Sequence, residues 1–227
     1  MKNKIIFDLG FCNGIDTMYY LSQGCKVVAL EGNPTLVDIG NRRFKEEIEN
    51  GQLILLNKVI SNYTKDNIDF YINPEKIEWG SLYKEIAEQD GKQSIKVSVS
   101  SISFFDLIDL YGIPYYLKVD VEGCDVLIAS NLSQLNEKPE VVSFELNKID
   151  YLEIFMSLKR AGYTKFQLRN QINNIPYSSG LFGYLLPENK WLTFDEAFSR
   201  YVKYRDLRLL DNIDLAVGWL DLHAKLD

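Results

Sequence analysis

Two parts of the N-terminal region carry residues whose types and spacing suit a ribose-containing cofactor. The first runs from Asp8 to Gly14, directly after the apolar residues 5–7, and it contains two glycines. The second is Glu31, which follows the apolar residues 27–30. Glycines let the backbone approach a ligand closely, and an acidic residue at the end of the next strand can accept hydrogen bonds from ribose hydroxyls. The spacing therefore indicates half of a nucleotide site.

The spacing of the glycines selects among the cofactors that contain ribose. A dinucleotide site uses G-x-G-x-x-G, because a pyrophosphate lies against bare backbone at a helix N-terminus. This chain instead has Asp8-x-Gly10-x-x-x-Gly14. A carboxylate ahead of the loop repels phosphate but suits a ligand that carries a sulfonium and an ammonium group, and S-adenosylmethionine is such a ligand. We expect Asp8 and the turn from Gly10 to Gly14 to hold its methionine portion, and Glu31 to bind its ribose.

A second set of chemically active residues lies in the middle of the chain. Lys118 and Asp120 alternate with apolar residues in the segment 115–121, so both are expected on one face of a strand. A lysine inside a central strand is costly to bury and needs a partner or a task. We predict that Lys118 forms an ion pair with Glu145, at the end of the following strand. Without a partner its pKa would fall, and it could serve as a base.

Three carboxylates, Asp120, Glu122 and Asp125, crowd the end of the same strand, where ligands bind in open α/β sheets. One of them could face the methyl donor or the acceptor. The group could also hold Mg²⁺ or Ca²⁺ through hard oxygen ligands. In a third interpretation Glu122 and Gly123 only turn the chain, and Asp125 begins the next helix. No histidine or further clustered carboxylate supports a metal site, so we expect none.

Alternating strand and helix signals surround these residues and predict a doubly wound, mostly parallel α/β sheet covered on both faces. The predicted strands are 4–8, 26–30, 53–56, 115–121, 140–146 and 163–169, and the predicted helices are 16–23, 34–50 and 150–161. Residues 67–73 and 95–101 alternate like strands around a looser segment. We therefore predict an inserted hairpin or flap over residues 67–101, which is a candidate substrate lid.

The last forty residues are predicted to form a helical extension, 187–227, in which Thr193-x-x-Glu196 is a capping box. Its aromatic residues at 194, 198 and 201 are expected to pack in the core or against a second copy in a homodimer. A turn-rich loop at 178–183 could lie over the active site. The only histidine, His223, is expected to lie in a terminal segment docked for stability, although its ordinary pKa would suit a base.

Composition limits the class of protein. A chain of 227 residues with 46% apolar content can bury a full core, so we predict one domain over residues 1–227. The absence of a signal sequence and of a long apolar run predicts a cytoplasmic protein without membrane contact. The net charge of -7 argues against nucleic acid, which leaves a small molecule or a glycan as the expected partner. Three cysteines match neither a disulfide framework nor a metal site.

Taken together, the motifs resemble those of the FkbM-type methyltransferases in order and spacing. The resemblance is carried by Asp8-x-Gly10-x-x-Asn13-Gly14-x-x-Thr17, Glu31-x-Asn33-Pro34, Leu117-Lys118-Val119-Asp120-Val121-Glu122-Gly123 and a strand ending in Glu145. Lys-x-Asp-x-Glu-Gly is the most specific of these, and the resemblance covers roughly residues 5–162. It implies a class I methyltransferase fold with a seven-stranded Rossmann-like sheet. It also implies S-adenosylmethionine as cofactor, methyl transfer to a hydroxyl of a sugar, glycan or secondary metabolite, and no metal.

The resemblance and the residue chemistry together give the predicted site. Methyl transfer needs alignment of donor and acceptor and removal of one proton. The candidates for the base are, in order, Asp120, Lys118, Glu145 and His223. The expected cofactor-binding residues are Asp8, Gly10, Phe11, Cys12, Asn13, Gly14, Thr17, Glu31, Gly32 and Asp120.

The chain departs from the family pattern at two places. Phe11-Cys12 replaces small residues in the first turn and could narrow the methionine pocket. Ser101-Ile102-Ser103 stands where the family tends to have Thr-Leu-Asp, so no acid is available there.

Two other functions remain open at the level of sequence. A non-catalytic S-adenosylmethionine-binding or scaffold protein would be favoured by loss of the acceptor-side residues, but Lys118, Asp120 and Glu122 are all present. An NAD-dependent oxidoreductase could use a related sheet, but the missing G-x-G-x-x-G counts against it. The same sheet serves many chemistries, so the fold alone does not decide among these functions.

Overall fold

The computed structural model describes residues 3–146, 150–170, 191–208 and 220–227. The strands in these ranges are β1 (Ile5–Leu9), β2 (Lys26–Leu30), β3 (Leu53–Leu56), β4 (Lys58–Ser61), β5 (Lys65–Ile72), β6 (Ile95–Ser103), β7 (Tyr116–Val119), β8 (Val141–Leu146), β9 (Lys165–Asn170) and β10 (Leu220–Lys225). The helices are α1 (Ile15–Ser22), α2 (Pro34–Arg43), α3 (Lys45–Glu49), α4 (Lys84–Ala87), α5 (Phe104–Tyr111), α6 (Asp125–Leu132), α7 (Tyr151–Arg160) and α8 (Phe194–Arg208). None of the described helices combines the length and the apolar composition needed to cross a membrane.

The main sheet has seven strands in the order β3-β2-β1-β7-β8-β10-β9. Its strands are parallel except for β10, which runs antiparallel to both of its neighbours. The prediction of a doubly wound, mostly parallel sheet is confirmed. The chain leaves β1 in one direction toward β2 and later returns to the other side of β1 with β7. Ligands in such sheets bind at this reversal, outside the carboxyl ends of the strands.

The two faces of the sheet differ in polarity at its centre. Phe7 and Leu9 of β1 belong to the core that packs against α5, α6 and α7. Ile6 and Tyr116 belong to a second core on the opposite face, which contains Tyr20 of α1. Because side chains alternate along a strand, Asp8 and Lys118 share this second face. The structure therefore buries the charged residues of β1 and β7 beneath α1.

A second sheet of three strands, in the order β4-β6-β5, contains the predicted hairpin. Strand β5 pairs antiparallel with β6, as the alternation in 67–73 and 95–101 predicted. Strand β4, which pairs parallel with β6, is an addition that the sequence analysis did not predict. The segment between β5 and β6 carries α4 and returns to β5 through a bridge between Tyr71 and Ser81.

The C-terminal region differs from the predicted helical extension. Its helix α8 is present, and the capping box is confirmed by hydrogen bonds in which Thr193 N donates to Glu196 Oε2 (2.8 Å) and Glu196 N donates to Thr193 Oγ1 (3.3 Å). Strand β10, however, lies inside the main sheet between β8 and β9. Leu220 and Leu222 fill the core on one face of the sheet, so the segment completes the sheet rather than extends it.

The aromatic residues of α8 pack in the core. The ring of Phe194 lies edge-on to Phe155 of α7 at 5.8 Å, and the ring of Phe198 does so at 5.4 Å. Tyr201 lies 6.1 Å from the same phenylalanine. The prediction of core packing is therefore confirmed. The predicted loop at 178–183 lies outside the described residues.

Candidate active site

The turn after β1 is held in a conformation that requires its glycines. Gly10 has φ +92° and Gly14 has φ +73°, in the left-handed region that glycine adopts at low cost. A Cβ atom on Gly10 would lie 1.8 Å from the backbone oxygen of Asp120. Only glycine fits there, and the contact brings the turn directly against the residue that follows β7. The two predicted parts of the site are thereby joined.

Glu31, at the end of β2, ties this turn to the start of α2. Its Oε2 accepts a hydrogen bond from Cys12 N and its Oε1 accepts one from Asn33 N, both at 2.8 Å. Burial raises the pKa of Glu31, and the two backbone hydrogen bonds oppose that shift. A carboxylate oxygen has more than one acceptor site, so both oxygens can still accept from ribose hydroxyls. Glu31 therefore lies where the ribose assignment needs it.

Lys118 of β7 is the centre of a buried ion cluster. Its Nζ lies 3.3 Å from Asp8 Oδ1, 3.6 Å from Asp16 Oδ2 and 3.6 Å from Asp120 Oδ2. It also donates a hydrogen bond to the carbonyl oxygen of Gly10 at 3.0 Å. The lysine thus joins β1, the glycine turn, α1 and the residue after β7.

Two predictions for Lys118 are wrong. Its ion-pair partners are the three aspartates and not Glu145. Burial by itself would lower the pKa of Lys118, but Asp8, Asp120 and Asp16 together raise it well above the usual value. The side chain therefore keeps its proton near neutral pH and is not a base. It positions the groups around it.

Asp8 and Thr17 support the turn from beneath. Neither residue is exposed, and Thr17 Oγ1 donates to Asp8 Oδ2 at 2.6 Å. The other oxygen of Asp8 faces Lys118. The structure brings both predicted cofactor residues to the site, but it places them under the turn, where they fix its shape.

The bulky residues of the turn point away from the site. Phe11 is buried and its ring lies edge-on to Phe44 at 5.8 Å, in the core beneath α2 and α3. Burial raises the pKa of the Cys12 thiol to about 11, so it stays protonated. Asn13 is exposed, and its Oδ1 accepts from Ile15 N at 3.1 Å at the start of α1. Phe11 thus anchors the turn in the core, and Asn13 joins it to the start of α1.

Gly32, and Ser103 in the second departure from the family pattern, contribute to the inserted sheet and to the helix that follows it. A Cβ on Gly32 would lie 2.5 Å from the ring of Phe70 and 2.6 Å from Val59. Its missing side chain therefore lets the second sheet approach the end of β2. Ser103 accepts a hydrogen bond from Asp106 N at 3.1 Å and so begins α5.

The acceptor side of the site contains three carboxyl groups close together. Asp120, Glu122 and Glu145 each present one oxygen within 4.8 Å of the others. Burial, followed by Asp120 and Asp125, raises the pKa of Glu122 to about 8. Burial and a hydrogen bond with Asp120 raise the pKa of Glu145 well above its usual value. Glu122 therefore holds a proton near neutral pH, the protonated form of Glu145 is favoured, and the side chain of Asp120 is 40% exposed.

The same three oxygens lie close enough together to ligate one divalent cation, since Mg²⁺ and Ca²⁺ take hard oxygen ligands. The expectation that the protein uses no metal stays a prediction.

His223 lies inside the sheet and away from the edge where an acceptor would bind. It is fully buried, pairs in register with Ser143, and its ring stacks on Tyr116 at 6.3 Å. Burial, with help from Arg169, lowers its pKa well below the usual value. His223 is therefore not placed to act as the base, because neither ring nitrogen is exposed.

The sequence analysis missed two contributors to the site. Asp16 belongs to the ion cluster, and its place one turn before the buried Tyr20 of α1 is a helical signal that could have indicated an inward-facing carboxylate. The insert is the other contributor. Ser81 Oγ donates to the carbonyl oxygen of Glu122 at 2.6 Å, and Asn33 Nδ2 donates to that of Ile77 at 3.4 Å. The segment between β5 and β6 thus rests on both halves of the site, as a lid would.

The strand order with an antiparallel strand next to the last position, the glycine turn after β1 and the acid after β2 define a class I methyltransferase. The sequence matches the methyltransferase FkbM domain over residues 8–165, and the chain belongs to this family. Its cofactor is S-adenosylmethionine. No curated protein sequence is significantly similar to this chain.

Solved structures similar to this protein include several methyltransferases. Methyltransferase FkbM from Methylobacillus flagellatus is 15% identical with a TM-score of 0.49, over 74% of this chain and 40% of that one. Precorrin-6y C5,15-methyltransferase from Geobacter metallireducens is 11% identical with a TM-score of 0.46, over 100% and 81%. Phosphoethanolamine N-methyltransferase 2 from Haemonchus contortus, in complex with S-adenosylmethionine, is 10% identical with a TM-score of 0.42, over 100% and 50%. This chain therefore spans less than half the length of the FkbM structure.

The residues present fit this cofactor. The turn at Gly10 leaves room for a ligand where a Cβ would clash, and Glu31 can accept from the ribose. The clustered aspartates offer negative charge to a ligand that carries a sulfonium and an ammonium group.

Proposed function

We propose that the protein transfers the methyl group of S-adenosylmethionine to a hydroxyl of a sugar, a glycan or a secondary metabolite. One observation carries the proposal. Asp120 lies against the cofactor turn with its side chain partly exposed, while burial and the neighbouring carboxyl groups raise the pKa of Glu122 and Glu145 beside it. A hydroxyl must lose a proton when it is methylated, and Asp120 is the group placed to accept it.

The other contribution of the protein's residues is to position the reacting groups. S-adenosylmethionine, when bound, supplies a methyl group activated by the sulfonium charge. Lys118 holds the side chain of Asp120 and the carbonyl of Gly10 through one ammonium group, so the proton acceptor and the cofactor turn keep a fixed separation. Fixed alignment of the reacting groups lowers the barrier of a displacement in which little other chemistry is required.

The surroundings of Asp120 favour an uncharged acceptor. The carboxylate of Asp120, which pairs with Lys118, disfavours a phosphate or carboxylate at the reacting position. The ring of Tyr83, 45% exposed, lies against Gly123 at this edge. An aromatic face beside hydrogen-bonding carboxyl groups suits the apolar face and the hydroxyls of a sugar ring.

The test uses methyl-labelled S-adenosylmethionine and a panel of sugars, glycans and hydroxylated metabolites. Transfer of the label, with NMR of the product to locate an O-methyl group, is the expected result. The variant Asp120→Asn should keep cofactor affinity within about threefold and lower turnover by about 10²- to 10⁴-fold, the usual contribution of a general base.

A label found only on nitrogen would overturn the hydroxyl assignment. If the protein binds the cofactor and methylates none of the panel, and Asp120→Asn changes nothing measurable, the non-catalytic alternative replaces this proposal. Membership of a methyltransferase family argues against the NAD-dependent alternative. Addition of EDTA should leave turnover unchanged if no metal is used.

A further inference from the structure

We infer that Asp16 binds the ammonium group of the methionine portion of the cofactor. The inference rests on the methyl-donor site described above. It assigns to the first turn of α1 a contact that the glycine turn alone does not supply.

The direction in which the cofactor must lie follows from the two ends of the turn. Glu31 contacts the turn at Cys12 and takes the ribose. The amino-acid end of the cofactor must therefore extend away from Glu31, toward the carbonyl of Gly10. Lys118 Nζ lies 3.0 Å from that carbonyl oxygen and 3.6 Å from Asp16 Oδ2. Asp16 thus belongs to the group of aspartates around Lys118 at this end of the turn.

The charges of the cluster leave room for another cation. Three aspartates, at positions 8, 16 and 120, share the single ammonium group of Lys118. The Oδ1 atom of Asp16 is buried and has no hydrogen-bond partner within the described part of the chain. A buried carboxylate oxygen without a donor is costly. A ligand ammonium group would supply both the donor and the missing positive charge.

The acidity of Asp16 agrees with this geometry. Burial raises the pKa of Asp16 to about 6, against the attraction of Lys118 and with added repulsion from Asp8 and Asp120. A proton therefore competes with a cationic ligand group for this carboxyl group as the pH falls toward about 6.

The ammonium group, rather than the sulfonium, is assigned to Asp16 because of order along the cofactor. Along the cofactor, the sulfonium lies next to the ribose. It must face the acceptor near Asp120 if the methyl group is to be transferred. The ammonium group lies further from the ribose bound by Glu31. Of the three aspartates, Asp8 is fully buried and Asp120 lies with Glu122 and Glu145 on the acceptor side, which leaves Asp16 on α1.

The experiment compares three ligands by calorimetric titration of the whole protein at pH 8. S-adenosylmethionine and S-adenosylhomocysteine both carry the ammonium group, whereas methylthioadenosine has the same nucleoside and sulfur but no amino-acid portion. Asp16→Asn should weaken the first two by about 10- to 100-fold, the range for a hydrogen bond to a charged group, and methylthioadenosine by less than about twofold. The matched control Asp109→Asn removes an exposed carboxylate on α5 and should change none of the three.

Each other outcome overturns a distinct assignment. A loss confined to S-adenosylmethionine would assign Asp16 to the sulfonium. An equal loss of all three ligands would make Asp16 a structural residue of the turn, and no loss would remove it from the site. If the unaltered protein bound none of the ligands, the methyl-donor site itself would be wrong, which separates the failure of the proposed function from the failure of this inference.

A second measurement on the unaltered protein serves if Asp16→Asn does not fold. Affinity for S-adenosylhomocysteine should fall as the pH drops below about 6, because Asp16 takes up a proton there. The charged groups that face Asp16 are Lys118 and Asp8 from the sheet and Asp120 beyond β7. The phenols of Tyr20 on α1 and Tyr116 on β7 also face it, and burial raises the pKa of both, so neither titrates near pH 6. Glu31 faces the ribose, so methylthioadenosine reports its titration separately. Equal pH dependence for both ligands would overturn the inference.

Discussion

The two halves of the carboxyl edge of the sheet use carboxyl groups in opposite ways. On the cofactor side, Asp8 and Glu31 are matched by donors: a threonine hydroxyl, two backbone N–H groups and the Lys118 ammonium. On the acceptor side, Glu122 and Glu145 face other carboxyl groups, and the pKa of each is raised. Charge partners, and not residue type, therefore decide which carboxyl groups position the backbone and which remain available for proton chemistry.

The largest expected effect comes from removing the cation that both halves share. Lys118→Met leaves three aspartates without their ammonium partner, and breaking a buried ion pair in this way typically costs about 3–5 kcal/mol. The free energy of unfolding, measured with urea, should fall by that amount. Lys96→Met removes the exposed ion pair with Asp69 and should cost less than about 1 kcal/mol. Equal losses for the two variants would contradict the central role of Lys118.

An intermediate effect is expected from a substitution at the contact between the cofactor side and the acceptor side of the site. Gly10→Ala adds a Cβ against the backbone of Asp120 at φ +92°, and the turn must move. We expect a loss of about 2–4 kcal/mol in unfolding free energy and a clear loss of cofactor affinity.

Gly112→Ala is the matched control for that prediction. Gly112 has φ +81° with no atom within 4 Å of the added Cβ, so it tests backbone strain alone. It should cost about 1–2 kcal/mol and leave cofactor affinity unchanged. If the two alanines behaved alike, the close approach to Asp120 would have no consequence.

The smallest expected effect concerns Glu122 on the acceptor side of the site. The pKa of Glu122 rises from 4.5 to about 8 in the folded protein, so the folded state binds a proton that the unfolded state loses above pH 4.5. Its stabilising contribution is complete below pH 4.5 and is lost as the pH rises through about 8. Glu122→Gln, which is neutral throughout, should therefore become more stable than the unaltered protein as the pH rises, by on the order of 1–2 kcal/mol after allowance for solvent screening.

Thermal unfolding of both proteins across this pH range provides the measurement. The control is Glu46→Gln, which changes an exposed residue of α3 and should show no such pH trend. A difference that does not change with pH would mean that Glu122 is already charged in the folded state.

Much of the fold could be predicted because it depends on local patterns. The apolar runs of β1, β2, β3, β7 and β8 read as buried parallel strands, and the cap of α2 was visible in Asn33-Pro34, where Asn33 Oδ1 accepts from Thr35 N at 3.0 Å. Strand β10 was missed because its alternating residues could belong to an edge or a terminal segment. Its place between β8 and β9 depends on pairing with residues fifty or more positions away.

Most of the residues that meet at the carboxyl edge follow from the sequence, since consecutive β-strand and α-helix signals fix where parallel strands end. The sequence analysis therefore located the glycine turn, Glu31, Asp120 and Glu145, and with them the cofactor, but it missed Asp16 and the insert. Only the tertiary structure decided what each charged group does. Lys118 could have paired with Glu145, yet it turns toward the aspartates of β1 and α1. Protonation and pairing depend on burial and on distances of a few ångströms between distant parts of the chain, which no local pattern records.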